Sequence, residues 1–292
     1  MAQPPKPSQS ASAQTSEAVD AHDRGDLAYP GGAAQVRVLA RGLSILRAFT
    51  PRNEWLSNQE IAAKTFLPRP TVSRLTANLT ELGYLSYSAS SRKHRLGTSV
   101  LALGFGALGN VDIRVLARPL LQRLADEEDA LVVLASRDAM AMVCNEVCHS
   151  SKSIFTLRVN VGSRLVLPYS AMGLALLGAM TPVEREEAMH QIGASFKKHW
   201  RELHKLIETS VAQYRRYRFC TTLGTLESGI NGIAVTVDTP GAPHSFTIGL
   251  AGPSFRFPAE RLDSDLGPKL LAIRRDLETR LIDLTPNAGD PR

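Results

Sequence analysis

Four side chains in one short stretch of the chain could contact nucleic acid. Arg69 and Arg74 can bind phosphate or the edge of a guanine, and Thr71 and Ser73 are short hydrogen-bond donors. All four lie in a segment whose apolar residues recur at helical spacing. Because the first turns of such a helix commonly meet base edges in the major groove, the segment is a candidate for reading DNA sequence.

The positive charge of the chain is concentrated around these residues. The 292 residues include 34 lysines and arginines against 28 aspartates and glutamates, a net charge of +6. Between Val36 and Gly97 ten residues are basic and three are acidic, so this window holds the whole excess. A solvated basic surface would give the same charge, but the asymmetry is typical of a nucleic-acid module joined to a near-neutral domain.

Three helices can be read in the basic window. Apolar residues at helical spacing predict a first helix that buries Leu39, Leu43, Leu46 and Phe49. Ser57 and Glu60 form a capping box that begins a second helix. The third helix is predicted to point a second set of residues inward: Val72, Leu75, Leu79 and Leu82. Its outward residues, small apart from the arginine, would fit deep in a groove: Pro70, Ser73, Arg74 and Ala77.

A basic hairpin follows the third helix. Residues 84–87 and 92–96 are strand-like, and the serine-rich residues 88–91 between them are typical of a turn. The second strand carries cations suited to phosphate or minor-groove contact: Arg92, Lys93 and Arg95. Three helices and a basic hairpin predict a winged helix-turn-helix that binds double-stranded DNA.

A glycine motif gives the main competing interpretation. Residues 104–109 match the G-x-G-x-x-G pattern of dinucleotide-binding folds, and acidic residues follow at about the expected distance of 20 residues. An NAD(P)-dependent oxidoreductase is therefore the alternative function. The strand that should precede the acidic residue comes after it, at residues 131–136, which favours a glycine-containing linker helix.

Other groups of reactive residues give weaker signals. The spacing of Cys144, Cys148 and His149 matches neither a zinc site nor a haem attachment, so we interpret the cysteines as small strand residues. Residues 126–129 are four consecutive acids, which we interpret as a solvated helix end. The chain contains no G-x-S-x-G motif that would mark a hydrolase nucleophile. We expect no catalytic residues, no metal and no cofactor.

The remaining segments suggest an α+β domain. Strands are predicted at residues 131–136, 140–147, 154–159, 230–237 and 245–251, and helices at 171–180, 182–191, 201–217 and 262–284. The predicted organisation is a disordered tail at 1–35, a DNA-binding domain at 36–97, linker helices at 98–128, a second domain at 129–285 and a C-terminal tail at 286–292. The most apolar stretch, residues 165–180, is interrupted and too short to cross a membrane.

The motifs resemble those of the IclR family of bacterial transcriptional regulators. In the first half the similar segments are Leu56–Ala62 with its capping box, Leu67–Leu75, Leu82–Leu85 and Arg95–Gly97. In the second half they are Gly162-x-Arg164, Ser170–Ala175, Glu227-x-Gly229-Ile230, Ile233–Val235 and Gly252–Ser254. The resemblance implies a second domain similar to the GAF fold, with a curved antiparallel sheet, that binds a small organic acid. It also implies a homodimer or homotetramer.

The resemblance also implies the position of the effector. The positions that match the family's pocket are Ile154, Leu157, Ser170, Ala171, Met172, Ile230, Gly232, Gly249 and Ala251. Gly249 and Ala251 stand where relatives that bind small keto acids have serines, and Gly232 stands where cysteine is frequent. Because fewer hydroxyls mean fewer hydrogen bonds for a compact polar ligand, we expect an aromatic or medium-sized acid. A packed core made of the same residues is the simpler interpretation.

The expected protein is a cytoplasmic transcription factor that binds operator DNA and is regulated by an organic acid, and that has no membrane partner. Apolar residues of the linker are expected to form the interface between copies: Leu101, Leu103, Leu108 and Val115. A scaffold whose second domain only mediates oligomerisation would be a third possibility, and it would show no ligand-dependent thermal shift.

Overall fold

The computed structural model describes residues 34–50, 53–108, 113–152, 157–239 and 242–284. Most of the predicted N-terminal tail and all of the predicted C-terminal tail lie outside these ranges, although Ala34 and Gln35 already belong to the first helix. The described residues form two compact units, residues 34–108 and 113–284. The two predicted linker helices are divided between them. No helix in these ranges is both long enough and apolar enough to span a bilayer.

The first unit has the winged helix-turn-helix arrangement. Its elements are α1 (Ala34–Arg47), α2 (Asn58–Thr65), α3 (Arg69–Glu81), β1 (Leu85–Ser88), β2 (Lys93–Leu96) and α4 (Thr98–Leu108). The capping box at α2 is present, with the Glu60 amide donating to Ser57 Oγ and the Ser57 amide donating to Glu60 Oε2. β1 and β2 pair in antiparallel register, and His94 of β2 also exchanges two backbone hydrogen bonds with Leu56.

The predicted buried face of the first helix is right at its C-terminal end and wrong at its start. Phe49 is buried and Leu46 is partly buried against the core, whereas Leu39 and Leu43 are 66% and 49% exposed. The core also contains Ile45 and Ala48. The physical reason is that only the C-terminal end of this segment packs on α2 and α3, so the earlier apolar residues have no partner within the unit.

The predicted inward face of α3 is right for two residues and wrong for one. Val72 and Leu75 are buried and Leu79 is partly buried, but Leu82 is exposed. Leu82 is the residue that ends α3, so the helical phase that predicted its direction no longer applies there.

The second unit is built on an antiparallel sheet. Its strands are β3 (Leu131–Asp138), β4 (Ala141–His149), β5 (Arg164–Val166), β6 (Cys220–Leu223), β7 (Ile230–Thr239) and β8 (Ala242–Pro253). In the described residues they are ordered β5-β4-β3-β8-β7-β6, with every neighbouring pair antiparallel. This arrangement confirms the α+β prediction. The strand expected at 154–159 is wrong for its described part, because residues 157–160 lie outside any strand and β4 pairs instead with Arg164–Val166.

Helices cover both faces of this sheet. They are α5 (Ile113–Glu128), α6 (Ala171–Ala179), α7 (Pro182–Ser195), α8 (Trp200–Tyr217), α9 (Ala259–Arg261) and α10 (Gly267–Leu284), with a π-helical turn at Leu262–Leu266 between the last two. We call the side covered by α6 the inner face; α5 and α10 cover the outer face. Cross-strand register puts Gly232, Ala251 and Leu131 in one inner row, with Ala234, Gly249 and Val133 in the next.

The acidic run at residues 126–129 is only in part the solvated helix end that we expected: Glu127 is exposed, but Glu128 and Asp129 form ion pairs. Glu128 is only 5% exposed, and its carboxylate pairs with Arg261 Nη2 at 2.5 Å and with Lys269 Nζ at 2.7 Å. Asp129 pairs with Arg256. The cations are far away in sequence, so the spacing of the acidic residues could not predict these ion pairs. The pairs connect the end of α5 to residues 256–269.

Candidate nucleic-acid interface and candidate effector site

The outward face of α3 carries the predicted DNA-contacting residues. Exposed side chains along this face are Arg69, Pro70, Ser73, Arg74 and Ala77, and Thr71 is partly buried. Pro68 precedes the helix and provides no side-chain cap, so the first amides of α3 are left for another acceptor. The helix therefore presents two guanidinium groups, short hydroxyls and a helix start on one side, an arrangement that suits phosphate and base edges.

Thr76 fixes this helix from its buried side, and sequence reasoning missed it. The single hydrogen of its hydroxyl lies between two acceptors, Ser73 O and Asn58 Oδ1, each 3.1 Å from the Thr76 oxygen, and the second contact joins α3 to the start of α2. A threonine between Leu75 and Ala77 gives no sequence signal, because its partner Asn58 is on another helix.

The three cations of the β1–β2 hairpin differ in their surroundings. Arg92 is exposed and has a positive φ of 53°, while Arg95 lies with its guanidinium carbon 5.0 Å from the centre of the Trp55 ring. Lys93 Nζ is 3.3 Å from Glu60 Oε1. The Ser57 amide holds the pKa of the Glu60 carboxyl below its usual value, with smaller contributions that include Lys93. Glu60 is therefore ionised, and its carboxylate competes with a DNA phosphate for the Lys93 ammonium group.

His94 is a buried residue among these exposed cations, and the sequence analysis gave it no role. Its ring contacts that of Tyr87 with centroids 4.8 Å apart, and its Nδ1 has no hydrogen-bond partner in the described part of the chain. Burial lowers the pKa of His94, so the ring is neutral near pH 7.

The candidate effector residues meet where α6 begins against the inner face of the sheet. Ser170 caps α6, with its Oγ accepting from the Gly173 amide at 3.1 Å. Ala171 and Met172 are buried in the first turn. A Cβ on Gly232 would lie 3.8 Å from the Ala171 Cβ, and one on Gly249 would lie 2.7 Å from the Met172 Cγ. These glycines thus allow the helix to approach β7 and β8.

The other predicted effector positions are less buried than the residues at the start of α6. Leu157 is partly buried and packs against the core beneath α6, while Ile230 and Ala251 are partly exposed. Ile154 lies outside the described residues. The close packing of Gly232 and Gly249 against α6 agrees with the alternative interpretation that these residues form part of the core.

The glycine motif and the cysteines lack the geometry of the alternative sites. Gly104 and Gly106 lie inside α4 rather than at its start, so their amides are not free to cradle a pyrophosphate. Cys144 is on the inner face and Cys148 is on the outer face, because a bulge between them shifts the register. Burial raises the pKa of Cys144 to about 12 and that of Cys148 to about 11, so both are thiols. Within the described ranges no cluster of metal-ligating side chains occurs.

The two units define a winged-helix DNA-binding protein whose second domain is an α+β unit. The model of the IclR helix-turn-helix domain matches residues 38–89, and the model of the bacterial transcriptional regulator IclR C-terminal domain matches residues 105–279. The chain belongs to the IclR family of transcriptional regulators.

Relatives and solved structures agree with this assignment. The chain is 31% identical to the HTH-type transcriptional regulator TsaQ1/TsaQ2 of Comamonas testosteroni, over 88% of this chain and 92% of that one. It is 26% identical to the Pca regulon regulatory protein of Pseudomonas putida, over 86% of each chain. An IclR family regulator from Brucella abortus has a similar structure, with a TM-score of 0.76, 36% identity and coverage of 87% and 97%. These relatives are regulators, not enzymes.

Proposed function

We propose that this regulator binds a palindromic operator through α3 and the β1–β2 hairpin. The observation that carries the proposal is the exposed face of α3, where small side chains flank Arg74. In this proposal Arg74 and the residues near the helix start contact base edges and phosphate: Arg69, Pro70, Thr71, Ser73 and Ala77. Arg92, Lys93 and Arg95 contact the phosphate backbone or the minor groove.

The regulator acts as a homodimer or homotetramer in the cytoplasm. One winged helix buries too little surface for a specific complex at physiological salt, and two-fold symmetry doubles the contacts. Exposed leucines of α4 support an interface there, since Leu101 and Leu103 are 61% and 59% exposed. Val115 of α5 is also exposed, and the Leu108 side chain lies outside the described residues.

Its effector is an aromatic or medium-sized organic acid bound between α6 and the inner face of the sheet. Amides at a helix start carry partial positive charge and can hold a carboxylate without a basic side chain. The surrounding positions are apolar or glycine, which suits a ring or a short chain: Leu157, Ile230, Gly232, Gly249 and Ala251. An IclR homologue from Microbacterium hydrocarbonoxydans has been solved in complex with 4-hydroxybenzoate; it has 22% identity and a TM-score of 0.65, covering 84% of this chain and 99% of that one.

One set of measurements tests the whole proposal. Selection from random duplexes should yield a palindromic sequence, and light scattering should give a mass of at least a dimer. A thermal-shift screen should show stabilisation by benzoate or 4-hydroxybenzoate but not by glyoxylate or pyruvate. A monomer at micromolar concentration that binds its operator tightly would contradict the oligomer. Stabilisation by the small keto acids alone would contradict the effector class.

A further inference from the structure

Trp55 and Arg95 face each other where the hairpin pairs with the segment before α2. Leu56 and His94 form an antiparallel bridge there, with backbone hydrogen bonds of 2.9 and 2.8 Å. In antiparallel pairing the residue before one partner lies opposite the residue after the other, so Trp55 is opposite Arg95. Because side chains alternate along a strand and Leu56 and His94 are buried, Trp55 and Arg95 lie on the outward side.

The Arg95 guanidinium lies over the face of the Trp55 ring, with its carbon 5.0 Å from the ring centre. The π face of tryptophan is electron-rich and attracts a cation that lies within about 6 Å of the ring centre. Trp55 is partly buried, whereas Arg95 is exposed. The ring therefore restricts a long, exposed side chain that would otherwise sample many rotamers.

The other cation on this side of β2 is held in a different way. Lys93 Nζ is 3.3 Å from Glu60 Oε1, so a phosphate has to displace a carboxylate in order to bind Lys93. An aromatic ring carries no net charge, and it holds Arg95 without neutralising the guanidinium. A guanidinium that lies flat on a ring keeps N–H groups at its edge, and these donors can bind phosphate oxygens.

We infer that Trp55 is a positioning residue for DNA binding, which holds the Arg95 guanidinium so that its N–H edge meets a phosphate of the duplex. The inference rests on the proposed function and adds a residue and a role to it. Trp55 acts through Arg95 and does not itself contact DNA. Because the arginine is already ordered before binding, less side-chain entropy is lost when the complex forms.

The test is a double-mutant cycle on Trp55 and Arg95, measured by fluorescence anisotropy on the selected operator and on scrambled DNA. We expect Arg95→Ala to weaken binding about tenfold on both duplexes, as for a hydrogen bond to a charged group. Trp55→Leu should weaken binding about two- to fivefold, as for an exposed cation–π contact. In the Arg95→Ala background the same Trp55→Leu change should have no measurable effect, because the side chain that it positions is gone.

Two further variants separate positioning from a purely structural role. Trp55→Phe keeps a ring beneath the guanidinium and should bind both duplexes within about twofold of the wild type. Trp55→Met removes the ring but fills more of its volume than leucine does, so the cycle can still be measured if circular dichroism shows that Trp55→Leu is unfolded.

Arg92→Ala is the matched control, because Arg92 is an exposed arginine in the turn of the same hairpin rather than opposite Trp55. Trp55→Leu should weaken DNA binding by the same factor in the Arg92→Ala protein as in the wild type.

Three results would overturn the inference. An equal loss from Trp55→Leu with and without the Arg95 side chain would show that the tryptophan only supports the fold of the hairpin. Wild-type affinity in Trp55→Leu, or in Arg95→Ala, would show that the contact between the two side chains has no part in DNA binding. These results leave the proposed function intact. If the wild type binds neither duplex, the proposed function itself is wrong and the role of Trp55 is lost with it.

Discussion

The two units place their candidate functional residues in opposite environments. In the first unit Arg74 and its neighbours are exposed on the far side of a helix whose Val72 and Leu75 form the core. In the second unit Ser170, Ala171 and Met172 are themselves buried. An exposed surface can change its chemistry without changing the fold, whereas in our proposal each residue of the buried site has a binding role in addition to its packing role. Substitutions on the exposed face of the first unit should therefore change binding without changing stability. Substitutions in the buried site of the second unit should change both.

The largest expected effect is on the stability of the second unit. Glu128→Gln removes a buried carboxylate charge and leaves Arg261 and Lys269 with Asp265 as their only remaining shared carboxylate among the described residues. We expect the free energy of unfolding of this unit to fall by about 2–3 kcal/mol. The chain has one tryptophan in each unit, Trp55 and Trp200, so urea unfolding can be followed separately in Trp55→Phe and Trp200→Phe backgrounds.

The neighbouring Glu127→Gln is the control, because Glu127 is exposed. It should change the free energy by less than about 0.5 kcal/mol. In the Glu128 variant the Trp55 transition should stay where it is in the parent. A shift of the Trp55 transition as large as that of Trp200 would contradict the prediction that Glu128 stabilises only the second unit.

Arg74→Ala should change DNA recognition without changing stability. We expect a loss of about 1–3 kcal/mol on the selected operator and a much smaller loss on scrambled DNA, since a guanine contact carries sequence information. Fluorescence anisotropy on both duplexes measures the difference. Equal losses on the two duplexes would assign Arg74 to phosphate rather than to base edges.

Lys93→Ala should have a smaller effect that is the same on every sequence. Removal of one phosphate contact lowers the salt slope of binding by about one. The loss of affinity is smaller than for an unpaired lysine, because Lys93 must give up its ion pair with Glu60 to reach DNA. Titrations at several salt concentrations on operator and scrambled DNA give the slope. A loss confined to the operator would reverse the roles that we propose for Lys93 and Arg74.

The smallest expected effect is a pH dependence confined to the first unit. Burial lowers the pKa of His94 below its ordinary value of about 6.5. Above that value both the folded and the unfolded chain hold a neutral ring. As the pH falls below it, the unfolded chain takes up a proton that the folded chain resists, so stability decreases.

The test is the urea midpoint of the Trp55 transition at pH 7.5 and pH 5, in the wild type and in His94→Gln. The wild-type midpoint should fall at the lower pH by more than that of the variant. Identical shifts in the two proteins would mean that other groups cause the pH dependence.

Much of the first unit could be predicted from the sequence, because its signals are local. The capping box at Ser57, the prolines at the start of α3 and the serine-rich turn of the hairpin each depend on residues a few positions apart. The extent of the buried face of α1 could not be predicted in the same way. Periodicity shows that apolar residues lie on one side of a helix, but it does not show which part of the helix packs against other elements. Leu39 and Leu43 are exposed for that reason.

In the second unit the signals that sequence reasoning missed are all long-range. Glu128 contacts Arg261 and Lys269 only because α9 and α10 pack near the end of α5, far from it in sequence. The positions around the start of α6 were predicted from the family resemblance rather than from spacing. Their packing against Gly232 and Gly249 could be known only from the paired strands.

The central claim is that operator binding and acid binding belong to different units, and Ala171→Trp tests it most directly. The substitution fills the start of α6 in the second unit, whereas α3 and the hairpin belong to the first unit. We expect the full-length variant to bind the selected operator with wild-type affinity and to lose the thermal shift with 4-hydroxybenzoate, while Arg74→Ala keeps that shift. If Ala171→Trp folds and still responds to the acid as the wild type does, the effector site is not at α6 and the account of the second unit is wrong.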